Sequence, residues 1–285
     1  MIRERIISGI VIAAVLILLA ISGGVPLGLF AAACGMIGYY ELSKALGVFA
    51  NLERMNGPAA VGMLGTAVFY AVLIVTGSLL EQRAMISAVS LILPTAVIML
   101  FLAEMTVFVF TYPAYKAPQV VGAVFAFLYA SVLMSFVYLT RLLPYGILFF
   151  AMIFFCSSIC DVCAWAVGRK IGRHRLAPIL SPKKSVEGAI GGVVGSTLIC
   201  LITAGIVELV IPGSHLFLMF LVMGPAGSII SQIGDLAASG IKRSVGLKDY
   251  GNLIPGHGGI MDRFDSVLFT APVIYLLAVL FLYVF

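Results

Sequence analysis

Nine long apolar stretches dominate this sequence, and each is long enough to cross a lipid bilayer as a helix. A hydrocarbon core roughly 30 Å thick requires about 20 apolar residues in helical conformation. Backbone groups in lipid need internal hydrogen-bond partners, so such stretches are expected to be α-helices. The predicted spans are residues 6–22, 26–47, 57–78, 85–110, 118–140, 145–167, 187–211, 214–238 and 264–285. The sequence therefore predicts an all-α, polytopic integral membrane protein.

The composition excludes a separate soluble domain. The chain has 285 residues, of which 62% are hydrophobic and 10% are charged. Soluble proteins are roughly 45–50% apolar and about 25% charged. The polar segments between the predicted spans are short, so we predict one membrane-embedded body. Residues 6–22 are interpreted as a retained first anchor rather than a signal peptide, because the rest of the chain is also polytopic.

The positions of the basic residues predict the orientation of the chain. Of the 17 lysines and arginines, all but Arg83 and Arg141 lie at the N-terminus or after spans 2, 4, 6 and 8. Cytoplasmic loops carry such an excess of basic residues. We therefore predict a multi-pass protein of the cell (inner) membrane, with its N-terminus in the cytoplasm and its C-terminus outside. The net charge of +5 is spread over short loops, which favours lipid headgroups or a phosphate-bearing substrate over nucleic acid.

All five aspartates of the chain lie in its second half, beside the densest basic loops. They are Asp161, Asp235, Asp249, Asp262 and Asp265. A carboxylate near hydrocarbon is costly, so this clustering indicates an assembled polar site on the cytoplasmic face. We therefore divide the chain into residues 1–140, a scaffold and lipid-facing wall, and residues 141–285, helices whose cytoplasmic loops carry the chemistry.

The segment from Asp235 to Asp265 has the features of a metal and phosphate site. Asp262 and Asp265 are three positions apart, which places both on one side of a beginning helix. The glycines just before them let the backbone approach a ligand, and a helix N-terminus favours phosphate. Asp235 lies at the cytoplasmic end of the preceding span, and the connecting loop can bring Asp262 and Asp265 back to it. Three converging carboxylates need a cation, and hard oxygen ligands suit Mg²⁺.

Two segments resemble a known family. The stretch Ser239-Gly-Ile-Lys242-Arg243-x4-Lys248-Asp249-x5-Pro255-Gly-His257-Gly-Gly-x-x-Asp262-Arg263-Phe-Asp265 resembles the phosphatidate cytidylyltransferase (CDP-diacylglycerol synthase) signature. Asp161, Gly168-Arg-Lys-x-Gly-Arg-His-Arg175 and Ser181-Pro-Lys183-Lys184-Ser-Val-Glu187-Gly are similar to the family's other cytoplasmic stretch. Together they cover about residues 160–266, and the first half agrees only as generic apolar helices. Ser185 stands where threonine is common in the family.

The resemblance implies condensation of CTP with phosphatidate to give CDP-diacylglycerol and pyrophosphate. It implies that Asp235 and Asp262 bind Mg²⁺, with Asp265 either as a further ligand or as a residue that supports the ligands. Some relatives are thought to bind a second, monovalent cation such as K⁺ at the same place. The candidate catalytic residues are Asp262, Asp265, Lys184 and His257. The candidate substrate-binding residues are Asp161, Ser181, Lys183, Lys184, Ser239, Lys242, Arg243, Lys248, Asp249 and Arg263. His257 lies between glycines, and either proton transfer or orientation of the loop accounts for it.

Several other sequence features are explained by structure as well as, or better than, by chemistry. Cys160-x-x-Cys163 has redox-like spacing, but with Cys156 it forms a stripe on one helix face, typical of packing residues. The small-xxx-small spacing of glycines 188, 191, 192 and 195 favours close helix packing or a homodimer face. Ser185 is predicted to be the N-cap of span 7. Glu41 and Glu104, within or near spans, are either functional residues or interfacial ones.

Two alternative functions remain open. A CTP-dependent transferase acting on another lipid phosphate, such as a polyprenyl phosphate or an ether lipid, would use the same polar residues. A membrane transporter would place its charges near the bilayer midplane and show internal repeats. Neither feature is present here, and the sequence also lacks GxxxxGK[ST], HExxH and GxSxG motifs.

Overall fold

The structure is a computed structural model that describes residues 2–49, 57–213, 216–254 and 258–283, with side chains from residue 9 onward. Within these ranges the chain forms nine long helices and one short β-hairpin. The helices are α1 (Ile2–Ser22), α2 (Gly24–Ala45), α3 (Gly57–Leu79), α4 (Gln82–Thr111), α5 (Ala117–Arg141), α6 (Gly146–Ile171), α7 (Val186–Val210), α8 (Leu216–Ser244) and α9 (Met261–Tyr283). The hairpin strands are β1 (Arg175–Ala177) and β2 (Ser181–Ser185).

The helices confirm the predicted all-α membrane architecture. The eight helices from α2 to α9 are long and apolar enough to cross a bilayer, and α1 has a shorter apolar stretch at Gly9–Ser22. Two spans contain a turn of π-helix, at Phe127–Val132 in α5 and Phe155–Ile159 in α6. The protein is therefore a multi-pass membrane protein.

The helices extend beyond several predicted span boundaries. α6 continues to Ile171 and α8 continues to Ser244, whereas the spans were predicted to end at residues 167 and 238. Lys242 and Arg243 therefore lie in the last turn of a helix rather than in a loop. Basic residues are favourable in a last helical turn because the helix dipole is negative there, which is the physical reason for the extension.

The chain forms two compact units. The first comprises Met1–Pro144 and Val245–Arg263, and the second comprises Tyr145–Ser244 and Phe264–Phe285. The division of labour predicted for residues 1–140 and 141–285 stays a prediction. The loop of residues 245–260 belongs with the N-terminal helices, whereas most of α9 belongs with α6, α7 and α8.

The first unit contains buried hydroxyl contacts between its helices. The Thr66 and Ser131 hydroxyl oxygens are 2.9 Å apart. The Tyr70 hydroxyl donates to the Ser131 carbonyl oxygen at 2.9 Å, within the π-helical turn of α5. Hydroxyl side chains commonly join transmembrane helices in this way, because lipid offers no other partner.

The second unit contains the predicted glycine packing face. A Cβ at Gly188 would lie 2.7 Å from the Ala164 carbonyl oxygen, and one at Gly192 would lie 2.9 Å from that of Cys160. Only glycine allows α7 and α6 to approach this closely. The prediction of close helix packing is confirmed, and the homodimer stays a prediction. The described cysteines are free, and all except Cys163 are buried.

The sequence does not predict the hairpin between α6 and α7, because residues 181–185 have the composition of a turn. β1 and β2 pair antiparallel, with Arg175 opposite Ser185 and Ala177 opposite Ser181. Pro182 lacks an N–H group and is tolerated because the two-stranded sheet consists of edge strands. The Ser185 side chain accepts from the Gly188 N–H at 3.1 Å, which confirms the predicted N-cap and joins β2 to α7.

Candidate functional site

The second unit contains a polar cavity of about 510 Å³. It lies among the C-terminal half of α6, the hairpin, the first turn of α7 and the middle of α8. Its lining residues are Asp161, Ala164, Trp165, Gly168, Arg169, Arg175, Leu176, Lys183, Lys184, Ser185, Gly188, Ala189, Gln232 and Asp235. Four of the predicted site residues (Asp161, Lys183, Lys184 and Asp235) therefore line one cavity.

Lys184 and Asp235 form an ion pair in this cavity. The Lys184 Nζ atom contacts the Asp235 Oδ2 atom, and each side chain is 26% exposed. The hairpin supplies Lys184, and α8 supplies Asp235. A partly buried pair is screened less by water than a surface pair, so each charge has a strong influence on the other.

Two further aspartates interact with this ion pair. The Asp265 carboxylate on α9 interacts electrostatically with Asp235, Asp161 and Lys242. Asp161 interacts with Asp235 and Lys184. Three carboxylates repel one another in a poorly solvated site, and Lys184 and Lys242 offset part of that repulsion. The unit thus brings together the predicted metal ligands Asp235 and Asp265.

The chemistry of these residues fits Mg²⁺ without a dedicated cage. Within the described ranges, no three or more His, Cys, Asp or Glu side chains form a group that could hold a metal ion by themselves. Mg²⁺ usually binds through one or two carboxylates together with substrate phosphates and water. Asp235 and Asp265 supply carboxylate donors of this type.

The cations of the cavity include two arginines that were not among the predicted site residues. Arg169 and Arg175 line it beside Lys183 and Lys184. The Arg169 guanidinium carbon lies 5.4 Å from the centre of the Trp165 ring, in a cation–π contact. The motif that contains Arg169 and Arg175 was visible in the sequence, but nothing local indicated which of its basic residues face a cavity.

The remaining predicted residues of this unit lie elsewhere on the same elements. Ser181 and Ser239 are half-buried, Lys242 is buried and Arg243 is exposed. None of these four is among the residues that line the cavity. The electrostatic contact between Lys242 and Asp265 still places Lys242 close to the carboxylate group.

The signature loop, which we define as residues 245–260, belongs to the first unit. The Asp262 Oδ2 atom accepts from the Tyr250 N–H at 2.8 Å and from the Gly259 N–H at 3.1 Å. Ile254 and Gly258 exchange two backbone hydrogen bonds. Asp262 is buried, and its carboxylate joins Tyr250 to Gly259 within the loop.

The other predicted residues of this segment are accessible. Lys248, Asp249 and Arg263 are exposed, and Asp249 lines a cavity of about 910 Å³ with Glu41 and Lys44. His257 lies outside the described residues. Asp262 and Asp265 both lie in the first two turns of α9, as predicted. The convergence of Asp262 with Asp235 on one cation stays a prediction.

Sequence reasoning did not identify the role of Glu41. This buried carboxylate accepts from the backbone N–H groups of Ile260 (3.1 Å) and Met261 (2.9 Å). The only signal in the sequence was the presence of an acidic residue near the end of an apolar span. The other acid of this kind, Glu104, is fully buried, and neither of its carboxylate oxygens has a hydrogen-bond partner among the described residues.

Comparison with known proteins gives a consistent result along the whole chain. Residues 3–281 match the model of the cytidylyltransferase family. The phosphatidate cytidylyltransferase of Bacillus subtilis is 30% identical over 282 residues, which cover 98% of each chain. That of Brucella suis is 32% identical over 281 residues, covering 98% of this chain and 94% of the relative. That of Synechocystis is 44% identical over 142 residues, about half of each chain. This chain belongs to the cytidylyltransferase family.

Proposed function

We propose that this protein is a phosphatidate cytidylyltransferase, which condenses CTP with phosphatidate to form CDP-diacylglycerol and pyrophosphate. The observation that carries the proposal is the cavity in which Lys184 pairs with Asp235, inside a chain that matches the family from end to end. Relatives that carry this name cover nearly the whole chain. The alternative acceptor, another lipid phosphate, shares the chemistry and is separated by the assay below.

The triphosphate of CTP is assigned to the cavity of the second unit. Arg169, Arg175, Lys183 and Lys184 present basic side chains there. Guanidinium and ammonium groups form charge-assisted hydrogen bonds to phosphate oxygens, and arginine can do so with two bonds at once. The N-terminus of α7 also lies at this cavity through Ser185 and Gly188, and a helix N-terminus favours an anion.

The reaction requires alignment more than proton transfer. An oxygen of the phosphatidate headgroup, already anionic, forms a bond to the α-phosphorus of CTP. The bond from the α-phosphorus to the bridging oxygen breaks, and pyrophosphate leaves with those electrons. The basic side chains of the cavity hold the phosphates in line and offset the charge that develops in the transition state. Lys184 is best placed for this, because its pairing with Asp235 fixes the ammonium group.

Mg²⁺ would be held by Asp235 and Asp265, with Asp262 as the third ligand that the resemblance implies. When bound, it would neutralise charge on the phosphate oxygens and orient them. Asp161 supports this assignment, because its charge adds to the negative potential at Asp235. The monovalent cation implied by the resemblance is part of the same proposal.

The site is proposed to face the cytoplasm, from the predicted distribution of basic residues. The hairpin residues Lys183 and Lys184, the end of α8 and the signature loop all belong to the predicted cytoplasmic side. CTP is soluble and phosphatidate is a membrane lipid, so a site at the edge of the inner leaflet can receive both.

A panel of substrates tests the proposal. Purified protein in detergent is given CTP, dCTP or ATP with phosphatidate, a polyprenyl phosphate or an ether-lipid phosphate, in the presence of Mg²⁺. We expect cytidylylated phosphatidate as the main product. Preference for another lipid phosphate would replace the acceptor, and absence of any nucleotide transfer would reject the enzyme class. Solute flux in proteoliposomes without nucleotide would instead support a transporter.

A further inference from the structure

Glu41 caps α9, the helix that carries Asp262 and Asp265. It lies near the end of α2 and is only 6% exposed. Its Oε1 atom accepts from the Ile260 N–H at 3.1 Å, and its Oε2 atom accepts from the Met261 N–H at 2.9 Å. The first N–H groups of a helix have no partner within that helix. A side chain 220 positions earlier in the chain supplies the partners.

Two glycines of the signature loop leave room for this carboxylate. A Cβ at Gly251 would lie 2.5 Å from Glu41 Oε1, and a Cβ at Gly259 would contact both carboxylate oxygens at least as closely. Neither glycine has a positive φ. The requirement for glycine at these two positions is therefore steric, and it is set by Glu41.

Glu41 and Asp262 bind the same short stretch of backbone. Asp262 accepts from the Gly259 N–H, while Glu41 accepts from the N–H groups of the next two residues. The two carboxylates also interact electrostatically. A shift of residues 259–261 would therefore change the position of Asp262, which both belongs to α9 and contacts this stretch.

We propose that Glu41 is a positioning residue for the reaction. It fixes the start of α9, and through it the Asp262 carboxylate, without touching a reacting atom. The catalytic part of this inference rests on the proposed function. Its structural part, the anchoring of residues 259–261, does not depend on any activity.

Backbone hydrogen exchange and kinetics together test this role. In the full-length protein in detergent, the amides of Ile260 and Met261 are expected to be protected. Glu41→Gln keeps the size of the side chain but replaces one acceptor oxygen with a donor group, so one of the two bonds is lost. Exchange at these amides should become about tenfold faster, since one charge-assisted hydrogen bond is removed. The kcat should fall by about tenfold, while the KM for CTP stays within about threefold.

Three further variants make the test specific. Glu104→Gln is the matched control, because it makes the same change at another buried acid of the same unit; wild-type exchange at residues 260–261 and near wild-type kcat are expected. Gly259→Ala pushes a methyl group against the Glu41 carboxylate and should reproduce the effects of Glu41→Gln. Glu41→Asp keeps the charge with a shorter reach, so its kcat should lie between those of Glu41→Gln and the wild type.

The outcomes separate this inference from the proposed function. Unprotected Ile260 and Met261 amides in the wild type, or unchanged exchange in Glu41→Gln, would overturn the anchoring. Faster exchange with wild-type kcat would overturn the positioning role. If the wild type transfers no cytidylyl group, the proposed function fails, and the exchange data still decide whether Glu41 anchors the loop. If Glu41→Gln does not fold, the wild-type protection and Gly259→Ala give the answer.

Discussion

The Lys184 ammonium group contacts the Asp235 carboxylate, so the hairpin after α6 is joined to α8 by an ion pair inside the polar cavity. The same lysine also interacts with Asp161. The Lys184 ammonium group therefore offsets the negative charge of two carboxylates that line the same cavity. The pair is the basis for assigning the nucleotide to the second unit.

Replacement of Lys184 should reduce catalysis strongly. We expect Lys184→Ala to lower kcat/KM for CTP by about 100-fold, because one charged donor to the transition state is lost. Lys170→Ala is the control: Lys170 is exposed in the last turn of α6 and does not line the cavity, so its kcat/KM should change by less than about threefold. Wild-type kinetics in Lys184→Ala would contradict the assignment of CTP to this cavity.

Asp235 and Asp265 should determine the requirement for Mg²⁺. Removal of one carboxylate ligand weakens metal binding, so we expect Asp265→Asn to raise the Mg²⁺ concentration for half-maximal activity by about tenfold or more. Glu208→Gln serves as the control, because Glu208 accepts from the Gly213 N–H beyond the other end of α7. The measurement is activity against Mg²⁺ concentration after treatment with a chelator. An unchanged Mg²⁺ dependence in Asp265→Asn would contradict the metal assignment.

The membrane helices could be predicted from the sequence because the bilayer imposes their length. The predicted span 57–78 differs from Gly57–Leu79 by one residue at one end, and the predicted span 187–211 differs from Val186–Val210 by one residue at each end. The extension of α8 to Ser244 was missed, because its last turn carries Lys242 and Arg243 and lacks apolar character. The hairpin was missed because five residues including a proline carry no alternating pattern.

The candidate site could be predicted only where its residues are close in sequence. Asp262 and Asp265 share the start of α9 through their three-residue spacing. The pairing of Lys184 with Asp235 spans 51 positions, and the contact of Glu41 with Met261 spans 220. Such contacts depend on the packing of whole helices, so no local pattern reports them. No local pattern predicts that Arg169 and Arg175 line the cavity either, because their positions depend on how α6 and the hairpin pack.

The glycine face between α6 and α7 should be sensitive to a single methyl group. Gly192→Ala would bring its Cβ to 2.9 Å from the Cys160 carbonyl oxygen, so we expect a loss of about 1–3 kcal/mol in the free energy of unfolding. Gly205→Ala on the same helix meets nothing within 4 Å and should be neutral or stabilising by up to about 1 kcal/mol. Fluorescence of Trp165, the one tryptophan of the chain, can follow unfolding in detergent. Equal stability of the two variants would contradict close packing at Gly192.

The predicted orientation can be tested at the two ends of α4. Glu81 and Lys116 flank this helix, and both are exposed. In intact cells, a membrane-impermeant maleimide should label Glu81→Cys, which the basic-residue distribution places outside. Lys116→Cys should react only after permeabilisation, and the chain with its native cysteines gives the background. The reverse pattern would place the site on the outer face and exclude access of cytoplasmic CTP.

The fate of each phosphate of CTP tests the central claim most directly. Purified protein is given phosphatidate, Mg²⁺ and CTP labelled at either the α- or the γ-phosphate, with Asp262→Asn as the inactive comparison. The account predicts that α-label enters the lipid, that γ-label leaves as pyrophosphate, and that the two products form in equal amounts. Absence of α-label from the lipid above the level of Asp262→Asn, or entry of γ-label into it, would contradict cytidylyl transfer by this protein.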